Sequence, residues 1–165
     1  TKVAVIEFFD YQCVFCSRFA PELEKVMKAQ PDVRYLFKEW PIFGGRWEAS
    51  LQAAQQGLTV WQKKGPQAYV TYHNAIYATG HNEGKLTVED IRVAASKAGL
   101  ATSAPGDHTA SLEKNSNLSE ALGLTGTPGI IVMPVSGATP DTITVFPEAV
   151  TADRLQVAIR KATAR

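Results

Sequence analysis

Cys13-Val14-Phe15-Cys16 sits where two kinds of hydrophobic pattern meet, and that junction limits the folds open to the chain. The preceding run, Val3-Ala4-Val5-Ile6-Glu7-Phe8-Phe9, is almost wholly apolar, as a strand buried on both faces requires. Beyond it Cys16, Phe19, Ala20, Leu23, Val26 and Met27 recur at three and four, the period of one helix face. The chain's only two cysteines therefore straddle a strand-to-helix turn, with Cys13 at the helix N-terminus. Unpaired main-chain N–H groups and the positive end of the helix dipole stabilise a thiolate there. The Cys13 pKa is expected below the free-thiol value of about 8.5. Thiol chemistry is the leading reading; two core cysteines packed as small hydrophobes are the plain alternative.

The elements that follow can be read in order. Pro21 removes the N–H that would bond the Ser17 carbonyl, which predicts a kink about a turn after Cys16. Gln30-Pro31-Asp32 ends this helix, and Val33 to Trp40 reads as a second strand, parallel to the first because a helix crosses between them. Trp47, Leu51, Ala54, Leu58 and Trp61 then predict one buried face of a long helix up to the Gly65-Pro66 break. Tyr69, Tyr72, His73, Ile76 and Tyr77 line a next helix ending at Gly80, and the capping pattern Thr87-x-x-Asp90 opens another that closes near Gly99. A fourth helix is expected from about Asp107 to Gly123, although its polar middle, Glu113 to Asn117, is weak helix sequence that can split it. Gly129 to Met133 and Thr142 to Phe146 read as a hairpin, and Thr151 caps a last helix with Leu155, Ala158, Ile159 and Ala162 on one face. The order is β-α-β, a helical insertion, then β-β-α.

Composition narrows the function. With 165 residues, 45% of them hydrophobic, the chain is long enough to bury a core without staples. A net charge of +1 from scattered residues argues against a nucleic-acid or anionic-membrane surface. No apolar run approaches the roughly 18 residues of a membrane span, and no signal-peptide pattern opens the chain. It starts at Thr1 and enters a strand almost at once, as a processed or trimmed chain does. His73, His81 and His108 are remote from one another, so a closed four-ligand zinc site is not expected. His73 shares its helix stripe with aromatic and aliphatic side chains and is read as core packing, as are Trp40, Trp47 and Trp61.

With Thr127-Pro128 just before the third strand, the whole order resembles the DsbA-like thiol:disulfide oxidoreductases, an α/β thioredoxin fold with an inserted all-helical subdomain. Glu7-Phe8-Phe9-Asp10-Tyr11-Gln12-Cys13 is similar to the family's lead-in to its dithiol, Trp40-Pro41-Ile42-Phe43-Gly44 to its second strand exit, and Gly126-Thr127-Pro128 to its cis-proline loop. The lead-in and loop resemble the bacterial ScsC-type branch more than prototype DsbA. The resemblance implies a thioredoxin-like domain over residues 1–45 and 124–165, with the helical subdomain at 46–123. It also implies that Cys13 is the nucleophile with an exposed sulfur and Cys16 the buried resolving partner. Pro128 would be cis, where an ordinary Thr-Pro bond is trans, and the Thr127 backbone would pair with an extended substrate beside Cys13.

Glu7 is a carboxylate in an apolar strand, so burial without a partner would favour its protonated form, unless it reaches water at the strand end. The family's matching acid lies under the dithiol and moves the proton of the buried cysteine. Val14 and Phe15 carry no charge or donor, which predicts a less depressed Cys13 pKa and a less oxidising couple than in prototype DsbA. Phe15 either contacts unfolded substrate or packs on the inserted helices. The resemblance implies no cofactor beyond the dithiol, no metal and no nucleic acid. It implies unfolded or misoxidised protein substrates and a membrane redox partner that recycles the dithiol. A disulfide donor works in an oxidising compartment, hence the periplasm. The direction, whether oxidation, reduction or isomerisation, is open. So is a second reading in which the two thiolates bind copper(I) in metal tolerance. The isolated chain is expected to be a monomer, and a longer natural form an oligomer that isomerises better, because linked units raise the effective concentration of a second dithiol.

Overall fold

A computed structural model describes residues 2–100 and 104–164. Its elements follow in chain order: β1 (Val3–Phe9), α1 (Val14–Ala29), β2 (Arg34–Glu39), α2 (Glu48–Lys64), α3 (Pro66–Ala78), α4 (Val88–Lys97), α5 (Thr109–Ala121), β3 (Gly129–Pro134), β4 (Thr144–Phe146) and α6 (Ala152–Thr163). The sheet order is β2-β1-β3-β4, with β1 parallel to β2 and antiparallel to β3, and β3 antiparallel to β4. This is the thioredoxin-like arrangement expected, with helices inserted between β2 and β3.

β1 is central and buried on both faces, which is why its sequence is nearly continuous in apolar residues. Val3 and Val5 pack with Phe19, Leu23 and Val26 of α1 and with Leu155 and Ile159 of α6. Phe8, on the opposite face, packs with Leu124 and Ile131. Strand alternation therefore puts Glu7 and Phe9 on the α1 side, and the register Glu7↔Phe37 and Phe9↔Glu39 brings a second acid to the same face.

Local signals were reliable where the partners are neighbours in sequence. Thr87 and Asp90 form a reciprocal capping box at α4, Pro66 follows left-handed Gly65 (φ 89°) at the start of α3, and the Thr151 hydroxyl accepts from the Arg154 N–H at α6. The helix α1 continues past Pro21 to Ala29. α5 runs unbroken through its polar middle, where Asn115 donates to the Glu39 carbonyl (3.0 Å).

The buried face of α2 differs from the one its large apolar residues predict. α2 buries Ser50, Ala53, Ala54, Gly57 and Val60, whereas Leu51 is 39% and Trp61 56% exposed. Small residues win because α2 lies close against α3 and α4, and a face of large side chains would hold the helices apart. Trp61 is therefore not a core residue. It joins Leu58, Leu36, Val70 and Met27 in walling an open groove of about 680 Å³. Trp40 and Trp47 are half-buried, Trp40 edge-on to Phe8 and Trp47 against Phe43. His73 is in the core as expected, ringed by Phe9, Tyr11, Phe37 and Tyr77, and burial lowers its pKa to about 4, so it is neutral at pH 7.

Candidate active site

Cys13 is the N-cap of α1, with extended backbone (φ −81°, ψ 118°), and its sulfur accepts from the Cys16 N–H at 3.4 Å. The chain turns there because Asp10 accepts from the Gln12 N–H and the Cys13 N–H bonds the Asp10 carbonyl. Across from it, the Thr127-Pro128 peptide is cis, and the Thr127 carbonyl accepts from the Cys13 thiol at 3.4 Å. Both cysteines are free thiols. Cys16 is fully buried one turn into the helix, as expected. Cys13 is also buried, only 3% exposed, which corrects the expectation of an exposed sulfur. The Thr127 main chain lies against it.

The two thiols are set apart electrostatically. The Cys13 pKa is lowered to about 6, first by a hydrogen bond from the Cys16 thiol; burial opposes this, and the nearby Thr127 side chain, whose hydroxyl makes no hydrogen bond of its own, and the Cys16 and Phe15 N–H groups support it. The helix end thus contributes, but the partner thiol leads. Cys16 is pushed well above the ordinary thiol range by burial, by its bond to Cys13 and by the charge of Glu7. Glu7 is likewise pushed well above the carboxylate range by burial first, then by Cys13 and Glu39, and its Oε1 has no hydrogen-bond partner. Its side chain does not reach water.

Around this centre lie residues to which the sequence assigned no role. Asp10 also accepts from the Phe43 N–H (2.9 Å) and the Ser50 hydroxyl (2.9 Å), and Gln12 donates to Ser50 (3.1 Å). Gln12 Oε1 accepts from the Gly84 and Leu86 N–H groups, which ties the dithiol turn to the loop before α4. Glu39 is buried and accepts from the Tyr11 and Tyr69 hydroxyls; burial pushes its pKa up to about 8 against those two bonds. Strand alternation from Phe37 was the available signal for Glu39. Its hydroxyl partners, 28 and 30 residues away, left none.

Gly57 makes room for this acid. A Cβ there would lie 2.7 Å from Glu39 Oε2, 3.1 Å from the Tyr11 hydroxyl and 3.2 Å from Tyr72. Overpacking costs about 1–3 kcal/mol, and the helix propensity of alanine returns about 1. Gly57→Ala is expected to lower the urea midpoint with an unchanged m-value; a higher midpoint would show that Glu39 moves aside freely.

Phe15 is 53% exposed beneath the Arg18 guanidinium, 5.5 Å from its ring centre, so it does not pack on the inserted helices. Val14 is half-buried beside it, and Pro128 is buried behind Thr127. His81 pairs with Asp90 and His108 with Thr59. Among the described residues no group of three or more His, Cys, Asp or Glu side chains is placed to hold a metal ion.

A family model described as Thioredoxin matches residues 1–152. The chain belongs to the thioredoxin family, in its DsbA-like branch near ScsC. BcfH of Salmonella enterica Typhimurium is 38% identical, with a TM-score of 0.83 over 99% of this chain and 71% of its own. The catalytic domain of Proteus mirabilis ScsC is 28% identical, TM-score 0.81, over 99% and 84%. A periplasmic thioredoxin-like protein of Salmonella enterica serovar Typhimurium is 28% identical, TM-score 0.78, over 98% and 85%. No curated protein sequence gives a significant match. Family membership brings disulfide oxidoreductase chemistry in general.

Proposed function

We propose that this chain is a periplasmic thiol:disulfide oxidoreductase whose redox pair is Cys13 and Cys16. The observation that carries the reading is the split between the two thiols, one lowered to about 6 and the other raised, beside the Thr127 main chain. In the oxidising direction, a substrate thiolate attacks the Cys13 sulfur of the disulfide form and Cys16 leaves. Glu7 supplies the proton that Cys16 takes up in its buried position. The second substrate thiol, its proton lost to solvent, then attacks as a thiolate and displaces Cys13, which departs as a stable thiolate, so the substrate dithiol is oxidised and the protein dithiol reduced. A weakly basic leaving group favours this direction, and a membrane partner that reoxidises the dithiol closes the cycle. The Thr127 edge and the exposed Phe15 ring receive an extended, unfolded segment by main-chain pairing and apolar contact. No helix among the described residues is long and apolar enough to cross a membrane, and the resemblance to a periplasmic relative supports an oxidising compartment.

Redox titration against glutathione, followed by refolding of a reduced multi-disulfide protein, tests the proposal. A single two-electron transition is expected, with catalysed disulfide formation in the substrate. A dithiol that stays reduced throughout glutathione buffers and gives no catalysis would refute it.

A further inference from the structure

The loop between α3 and α4 contributes Glu83, which brackets the nucleophile from both sides. Its main-chain N–H donates to the carbonyl of Gln12 (2.9 Å), and its carboxylate accepts from the N–H of Val14 (3.0 Å). Those are the residues immediately before and after Cys13. Val14 is the first residue of α1, so its N–H is one of the unpaired donors that would otherwise face an anion at the helix end.

The backbone at this point is costly. The Lys85 N–H bonds the Asn82 carbonyl, and the two central residues of that turn, Glu83 (φ 53°) and Gly84 (φ 93°), both have left-handed φ. Glycine, asparagine or aspartate normally fills such a turn. Glu83 is the one non-glycine residue with positive φ among the described residues. A left-handed residue of this kind costs about 1–3 kcal/mol and persists where the surroundings over-determine it. Here they do: Gly84 and Leu86 are held by Gln12 Oε1, and the Trp47 ring lies so close to Gly84 that a Cβ would sit 2.8 Å from its indole nitrogen.

We propose that Glu83 is a positioning residue for thiol exchange: it fixes the backbone on both sides of Cys13 and places a negative charge that opposes the thiolate. The proposal rests on the redox reading of Cys13 and Cys16 and adds a control on its poise. The other groups acting on the same thiol are the Cys16 thiol and N–H, the Phe15 N–H, the Thr127 hydroxyl and carbonyl, and Glu7 of β1; Glu83 itself also acts on Asp10. Because a thiolate that is harder to form makes the reduced state less favourable, Glu83 holds the couple less oxidising than the helix end alone would make it.

Glu83→Gln keeps the acceptor for Val14 and removes only the charge. A charge in the first turn is worth about 0.3–1 kcal/mol at an exposed site, so the Cys13 thiol–thiolate equilibrium should shift about three-fold toward thiolate. That is a fall of about half a pKa unit, and the reduction potential should rise by about 14 mV, since tenfold corresponds to about 30 mV. Thiolate absorbance against pH reads the first, and glutathione titration the second. Both differences should shrink in about 1 M salt, where an exposed charge is screened, whereas a purely structural effect would persist. Equal pKa values in the two proteins at low salt, or a higher one in Glu83→Gln, would overturn the role of Glu83 while leaving the dithiol reading intact. A Cys13 that shows no depressed titration in either protein would refute the dithiol reading itself.

Discussion

Cys16→Ser protein is expected to accumulate as a mixed disulfide with substrate through Cys13, and Cys13→Ser protein to lose exchange by at least about 100-fold. At pH 7 a thiol with its pKa at about 6 is mostly thiolate, whereas Cys16 is pushed well above the ordinary thiol range and is almost wholly protonated. Ionisation therefore favours Cys13 strongly, and its lower intrinsic nucleophilicity gives back only part of that advantage. Position settles the remainder, because Cys16 lies one turn into the helix while Cys13 has the Thr127 main chain beside it. Alkylation of the two single-cysteine proteins across pH 5 to 9, with trapping on a disulfide-bonded peptide, measures both effects. Faster alkylation of Cys16 at neutral pH would reverse the assignment.

Glu7→Gln is expected to be more stable than the parent at neutral pH and a slower catalyst. The sign follows from linkage. Burial raises the folded pKa of Glu7 above its unfolded value of about 4.3, so the folded state holds a proton that the unfolded state releases. Stability is therefore fully present below about pH 4 and lost as pH rises toward the folded pKa, by about 1.4 kcal/mol per pH unit in that window. Glu39, raised to about 8, adds a loss of the same sign. Urea unfolding at pH 4 and pH 7 should show the two proteins equal at the lower pH and the glutamine variant ahead at the higher. Formation of the mixed disulfide from the oxidised protein should slow by about ten-fold or more, because a glutamine cannot give the departing Cys16 its proton. A variant as unstable at pH 7 as the parent would mean Glu7 is solvated in solution. An unchanged rate of mixed-disulfide formation would remove it from the proton path.

The sequence by itself determined what depends on near neighbours. The two-faced burial of β1, the helix that begins at the dithiol, the capping box at Thr87 and Asp90, and the α6 face all arise from interactions within one or two turns, so their residue patterns carry them. Glu7 was legible for the same reason, as a carboxylate in a strand with no exposed face. The resemblance supplied Thr127 and Pro128, which no local rule connects to Cys13 across 114 residues. Tertiary structure alone decided the rest. It chose the small-residue face of α2 over the larger one, since helices that approach closely exclude Leu51 and Trp61 whatever their hydrophobicity. It covered Cys13, and it gave Glu39 its tyrosines and Val14 its glutamate, 69 residues away. A hydrogen bond between distant segments leaves no periodicity in either one, because each partner is selected by where the fold brings the other.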